Sequence, residues 1–443
     1  MVFSPAGKQL MSECELVLNT VTDDEPVRIS SLDPQSSEIS KKETAAEKKA
    51  RLKAEKIAAA MALWEEDYEF KSNLEEPTFD QRPPYLSNRD VKDYSPVDFF
   101  ELFFDNDVVT FICDQTNKFA VEKKCDRWDL ITPEELRCFL GIVMLSGYNS
   151  LPSNRMFWEE SEDVYNELVS SAMRRNRFLD ILRFTHFCDN SDLDESDKLS
   201  KIRPLTNLIQ ERFHKFAFET STINVDESMI EYFGKYGNKL KQRMPSKPIR
   251  SGYKVWALNL SDGYLHSFEV YQGKGSQSSF QAEFGHGPGV VLGLLENIKS
   301  SNYHVFIDNY FTSVNLLSHL AGKGIACTGT FNKKMLAHCP LPSDSEMEKK
   351  ERGTFTSFVH KELNVQFTKW IDNKCVVMGS NSIPDSPPGE CQRWSTSTKQ
   401  YITIKRPRSI ESCNSFMGGT DAMDQSINCY KPSIRNSLFL HLF

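Results

Sequence analysis

The strongest constraint in this sequence is a change of hydrophobic period near Thr220. Before that point apolar residues recur at helical spacing; after it they alternate, as a strand with one buried face requires. From Ser95, the residues Phe99, Leu102, Phe103, Val109 and Ile112 fall near one helical stripe. Ser95 followed by Pro96 predicts a helix start, because a hydroxyl can accept from an orphan first-turn N–H and proline's missing N–H costs nothing there. Thr132 and Pro133 repeat the device, with Glu135 placed to complete a capping box. Segments 161–187 and 201–218 carry the same spacing, so residues 95–220 predict an all-α unit. Within it, Arg174, Arg175 and Arg177 face either solvent or a phosphate.

Beyond Thr220, STINVDESMIEYF alternates, and SGYKVWALNLSDGYLHSFEVYQG predicts two strands joined at Ser261-Asp262-Gly263. YHVFIDNYFTSVNLLSHLAGKG predicts a strand, a turn and a helix closed by Gly322 or Gly324; IACTGTF predicts a further strand. Residues 221–334 thus have an α/β layout. Residues 335–408 are charged and rich in Pro and Ser, with one hairpin-like pair around Asn373, VQFTKWID and CVVMGSN. They predict an insertion, after which 409–430 returns to helical character.

The N-terminal part is of another kind. Residues 1–40 hold too little apolar surface to offset chain entropy and predict disorder. Residues 41–70 open on an Ala-rich stretch with an i,i+4 pair, Glu47–Arg51, and predict a charged helix. Its Lys48, Lys49, Arg51 and Lys53 form either a solvated face or an import or DNA-grazing element. Residues 71–94, with Pro77, Pro83 and Pro84, predict a linker. The net charge of −8 excludes a uniformly basic nucleic-acid coat while leaving room for a local basic patch. No apolar run is long enough for a membrane span, and the N-terminus lacks the pattern of a secretory signal. The 11 cysteines, without a CxxC pair, predict free thiols in a reducing compartment, cytosol or nucleus, and no zinc ribbon or finger.

Three acidic positions stand out by context. Asp226 lies inside an apolar strand, Asp308 at the carboxyl end of another, and Asp421 just after Gly418-Gly419, with Asp424 one turn on. A carboxylate at a strand's carboxyl end points into the crevice where open α/β sheets bind ligands. Carboxylates converging there would form an oxygen-ligand site for Mg²⁺ or Mn²⁺; the alternative is that each merely caps a turn or helix. A second signal is the run Lys235, Lys239, Lys241, Arg243, Lys247, Arg250 and Lys254, free of acidic residues and flanked by Tyr236, Tyr253 and Trp256. Such a track suits a phosphate backbone with aromatic faces for bases. Gly273, Gly275 and Ser276 lack P-loop spacing, and His266, His286 and His304 lack zinc spacing.

VDESMIEYFGKYG, MPSKPIRSGYKVW, VFIDNYFTS, KWIDNKCVVMGSN and MGGTDAMDQ, in this order, resemble the piggyBac transposase family. The upstream FFELFFDNDVVTFICDQTNKFA, ITPEELRCFLGIVMLSGYNSLPSNRMFW and KIRPLTNLIQERF resemble that family's helical domain, so the likeness runs from about Ser95 to Tyr430. It implies an RNase H-like catalytic domain of the DDE type in two parts, 221–334 and 409–430, interrupted by an insertion domain, 335–408. The 95–220 unit would be the N-terminal half of a dimerisation and DNA-binding domain. The aspartates of VDES, FIDN and GGTD, here Asp226, Asp308 and Asp421 supported by Asp424, would hold two divalent ions for phosphodiester cleavage and strand transfer at TTAA sites. DNA, a possible homodimer and a nuclear location are the partners and place this implies. In the family the chain continues past this last helix to a Cys-rich zinc module. Here residues 431–443 predict a truncated tail, with no zinc module and doubtful autonomous activity. The rival reading is a non-catalytic DNA-binding or protein-interaction remnant.

Overall fold

The computed structural model describes residues 45–66, 70–72, 74, 93–217, 221–232, 240–245, 247–273, 278–298, 302–332, 335, 336 and 338–432. The expected disorder of 1–40, most of the 71–94 linker, Lys235, Lys239 and the tail beyond Pro432 lie outside these residues. Along the chain run α1 (Ala45–Ala62), β1 (Trp64–Glu66), α2 (Pro96–Phe103), α3 (Asn106–Glu122) and α4 (Pro133–Tyr148). Then come α5 (Glu167–Ala172), α6 (Arg175–Phe184), α7 (Arg203–Phe216), β2 (Thr222–Glu231), β3 (Lys241–Arg243), β4 (Ser251–Leu260) and β5 (Leu265–Val270). There follow α8 (Ser279–Phe284), α9 (His286–Leu295), β6 (His304–Ile307), α10 (Val314–Gly322), β7 (Ala326–Thr330) and α11 (Asp344–Met347). Last are β8 (Phe355–His360), β9 (Val365–Ile371), β10 (Cys375–Ser380), β11 (Gly389–Ser395), β12 (Gln400–Arg406), α12 (Arg408–Phe416) and α13 (Gly419–Tyr430). No helix among the described residues is long and apolar enough to cross a membrane. The cysteines among them are free thiols.

The chain divides into two compact units, Met1–Glu75 with Ile307–Cys413, and Glu76–Phe306 with Asn414–Phe443. In the second, α2 to α7 enclose a core that includes Val108, Ile112, Phe139, Phe157, Phe178 and Ile181. Ser95 forms a reciprocal capping box with Asp98, and Thr132 accepts from the Glu135 amide. The Glu135 carboxylate does not close the expected box. It makes two 2.5 Å hydrogen bonds from Arg177, whose guanidinium lies 4.9 Å from the Trp128 ring centre. A bidentate carboxylate outcompetes water for that guanidinium, so Arg177 ties α6 to α4 and is only partly exposed. The 161–187 segment is two short helices, because Met173 is extended (φ −152°, ψ 142°) and breaks the run.

The sheet of the second unit is antiparallel around β4. One edge of β4 takes β2, with Asp226 opposite Ala257; the other takes β5 and, at its start, β3. Gly263 turns the β4–β5 hairpin at φ +99°, a conformation that favours glycine. Strict alternation fails on β2, where Ile223, Asn224 and Val225 are consecutively buried. Both faces of this strand are covered, which erases the one-sided pattern.

The first unit holds the strand order β1-β8-β9-β10-β7, each neighbour antiparallel. The hairpin expected around Asn373 is β9–β10. Two further pairings were not legible: β8 on β9, and a separate hairpin β11–β12. The cause is buried polar pairing. Every residue of β9 is buried, including Lys369, whose ammonium meets Asp344 at 2.7 Å, and Thr368, 2.7 Å from Ser357. Composition alone therefore gave no strand pattern for β8.

Candidate active site

The second unit seats α13 on β2 and β4 through buried amides. Asn224, fully buried, donates from Nδ2 to the Met417 carbonyl and to Thr420 Oγ1, both at 3.1 Å. Thr420 Oγ1 donates to Asn259 Oδ1 at 2.9 Å. Polar groups this deep stabilise one arrangement only when partnered, so the network sets where α13 docks. Gly419 allows the approach. A Cβ there would lie 2.2 Å from the Leu260 carbonyl oxygen and 2.3 Å from Asn224 Oδ1. Gly419→Ala should therefore lower stability by about 1–3 kcal/mol, the usual cost of overpacking; a urea midpoint equal to the parent's would contradict this docking.

This docking brings the first and last acidic motifs together. Ser228, two residues after Asp226, donates to Asp424 at 2.5 Å. Burial is the main cause that raises the proton affinity of Asp424, the Asp421 charge adds to it, and Ser228 and Lys247 oppose it. Asp226 accepts from the Glu227 amide at 2.7 Å. The Lys247 ammonium stands 3.9 Å from Asp226 and 3.7 Å from Glu227, and donates to the Glu227 carbonyl at 3.0 Å. Lys254 stands 4.0 Å from the Glu227 carboxylate and 3.8 Å from the Trp256 ring centre. Asp226, Glu227 and Asp424 thus gather around Lys247, with Asp421 next to Asp424 and exposed. Glu227 and the two amides are members that the sequence reading missed. The available signal was a polar side chain, Asn224, set between Ile223 and Val225 in an apolar strand.

Asp308 belongs to the first unit, directly after β6. Its Oδ1 accepts from the Tyr310 amide at 2.9 Å and its carbonyl from Phe311 at 3.2 Å, an Asx-type turn that leads toward α10. The Thr312 hydroxyl lies between the Asp308 and Thr330 carbonyls, within hydrogen-bond reach of both and with one proton to donate, which ties that turn to β7. Burial pushes the Cys413 thiol up to about 11, and the Asp308 charge adds to this. The residues of the basic run differ in what they face. Lys247 and Lys254 turn to carboxylates, Lys241 and Arg243 sit on the short strand β3, and Arg243 and Arg250 are exposed. His266 and His304 are buried.

The sequence profile of the family described as Transposase IS4 matches residues 95–441. The chain belongs to this transposase family. Its relatives there are of the piggyBac type. It is 40% identical over 344 residues to human piggyBac transposable element-derived protein 3, which covers 77% of this chain and 57% of the relative. It is 37% identical over 355 residues to human piggyBac transposable element-derived protein 2, covering 80% of this chain and 59% of the relative. The chain therefore spans less than two thirds of the length of these relatives. Among solved structures it resembles a piggyBac transposase, determined as a synaptic complex with hairpin DNA, at a TM-score of 0.64 and 20% identity over 82% of this chain and 74% of that one. The fold is thus a mixed α+β DDE transposase fold. In a DDE family the acidic residues imply divalent-metal use, and the all-carboxylate donor set around Asp226 suits a hard, oxygen-seeking cation.

Proposed function

We propose that this chain binds duplex DNA and carries a DDE-type centre for phosphodiester cleavage and strand transfer. In this reading Asp226, Asp308 and Asp421 hold two divalent ions, Mg²⁺ or Mn²⁺, and Asp424 supports them. The observation that carries it is the Ser228–Asp424 bond, which holds the GGTD helix against the VDES strand. The ions, when bound, would supply an activated oxygen nucleophile and stabilise the leaving oxygen. The chain's own residues have defined parts. Asp424 stays close by in a partly desolvated setting, where a cation would relieve its raised proton affinity. Lys247 supplies positive charge among the carboxylates. Lys235, Lys239, Lys241, Arg243 and Arg250 run along the backbone phosphates, with Lys247 and Lys254 beside the cleaved strand. TTAA targets, homodimerisation and a nuclear location complete the reading.

The DNA arm is tested by salt dependence. Because each phosphate contact releases condensed counterions, replacing Lys241 and Arg243 together by Ala should lower the slope of log K against log salt by about two. Affinity should fall alike for all duplex sequences. A changed sequence preference at an unchanged slope would assign these residues to base reading instead. A second reading, DNA binding without cleavage, is favoured by Lys247, because its ammonium already compensates the carboxylates that an ion would occupy. Nicking of a labelled duplex with Mn²⁺ decides between the two.

A further inference from the structure

Lys247 stands among the carboxylates without being fastened to either of its two acidic neighbours. Its ammonium makes a hydrogen bond to a main-chain atom, the Glu227 carbonyl, at 3.0 Å. It stands off from the side chains, 3.9 Å from Asp226 Oδ2 and 3.7 Å from Glu227 Oε1. One charge is thus shared between two carboxylates and clamped by neither. Its field extends to the last helix as well: burial raises the proton affinity of Asp424, and Lys247 is among the groups that oppose this. These are the oxygen donors that a hard divalent cation would use. The lysine side chain is 22% exposed, which leaves it a way out to water.

Lys254 shows the contrast with a fixed cation. It projects from β4, 4.0 Å from Glu227 Oε2, and its ammonium lies 3.8 Å from the Trp256 ring centre. Moving it would forfeit that cation–π contact. Lys247 comes instead from the loop between β3 and β4. That loop is closed by the Met244 amide on the Arg250 carbonyl at 2.9 Å and by the Lys247 amide on the Met244 carbonyl at 3.2 Å. Both bonds hold the main chain, so the flexible four-carbon stem can turn away without disturbing them. With no metal bound, the ammonium keeps neighbouring carboxylates from repelling one another. With a metal bound at Asp226, two cations would stand side by side where water is partly excluded, and they would repel strongly. The ammonium and the ion are therefore alternatives.

We infer that Lys247 is a tethered counter-ion, which keeps these carboxylates paired in the metal-free chain and turns out to solvent when a divalent cation takes its place. Such a role rests on the reading of the carboxylates as a cation centre, and it gives that centre a threshold, because an ion at Asp226 must first displace the lysine. The test uses the full chain without DNA. Lys247→Met keeps the length of the side chain and removes its charge. By calorimetry it should bind Mn²⁺ about tenfold more tightly than the parent, whereas Lys247→Arg, which keeps the charge, should bind no more tightly. In EDTA, Lys247→Met should melt below the parent, and Mn²⁺ should close the gap. A second measurement needs no variant. Amine acetylation read by mass spectrometry should modify Lys247 of the parent about threefold faster with Mn²⁺ than in EDTA, while Lys254 stays unchanged. If the parent binds Mn²⁺ but Lys247→Met binds it no better, or if Mn²⁺ leaves Lys247 acetylation unchanged, the counter-ion role is overturned and the cation centre stands. Absence of Mn²⁺ binding in the parent and both variants would overturn the two together.

Discussion

In a chain with Asp308 changed to Asn, cation-dependent strand cleavage is expected to fall by about three orders of magnitude, equivalent to about 4 kcal/mol of barrier. The substitution removes charge while keeping shape. Its remaining carbonyl oxygen can still accept from the Tyr310 amide, so the turn after β6 should persist. Two readouts separate chemistry from folding. Mn²⁺ should raise the melting temperature of the parent, because carboxylates gathered around Lys247 repel one another less when a cation is bound. That gain should shrink in the variant while its melting temperature in EDTA stays near the parent's. Cleavage undiminished in Asp308→Asn, or a parent chain whose melting temperature ignores Mn²⁺, would remove Asp308 from the centre.

Acid should destabilise the second unit through its buried histidines. Burial depresses His304 to about 3, while burial and then the His214 charge depress His266 to about 4, from an ordinary 6.5. Both are bases whose neutral form is favoured in the fold. The stability they contribute is therefore complete above 6.5 and is lost as pH falls toward 4 and 3. At about 1.4 kcal/mol per unit, His266 alone represents about 3 kcal/mol across that window. In the first unit the trend is opposed by Asp385, whose pKa burial raises, so that its protonation favours the fold as pH drops. Urea unfolding at pH 7.5 and 4.5 should show the loss, and His266→Asn should flatten it by about 2–3 kcal/mol. A pH response in that variant as steep as the parent's would mean that other groups govern the acid limb.

Much of this architecture was readable along the chain because its signals are local. Ser95-Pro96 and Thr132-Pro133 start helices where expected, and Asp308 stands directly after an apolar strand. What escaped reading depends on partners far away in sequence. Nothing near Asn224 says that its side chain will meet Met417 and Thr420. Charge without direction misled as well: Lys247 reads as one more cation of a basic run, yet its ammonium turns toward Asp226 and Glu227. Arg177 reads as a surface residue until Glu135, on another helix, claims it. In 335–408 the sequence reading found one hairpin. The pairing of β8 on β9 was hidden because their polar residues meet one another, as Thr368 meets Ser357.

The seating of α13 also imposes a schedule on biosynthesis. Ser228 and Asp424 are 196 residues apart, as are Asn224 and Thr420. At about 5–20 residues per second a ribosome needs roughly 10 to 40 s to span that interval. For much of it, the nascent β2–β4 pair carries two carboxamides and an apolar surface that α13 covers in the folded chain. A chaperone that holds this half-made sheet should bind most strongly to chains stalled after Leu260 has left the exit tunnel and before Gly419–Tyr430 has been made, and release them once that helix has docked.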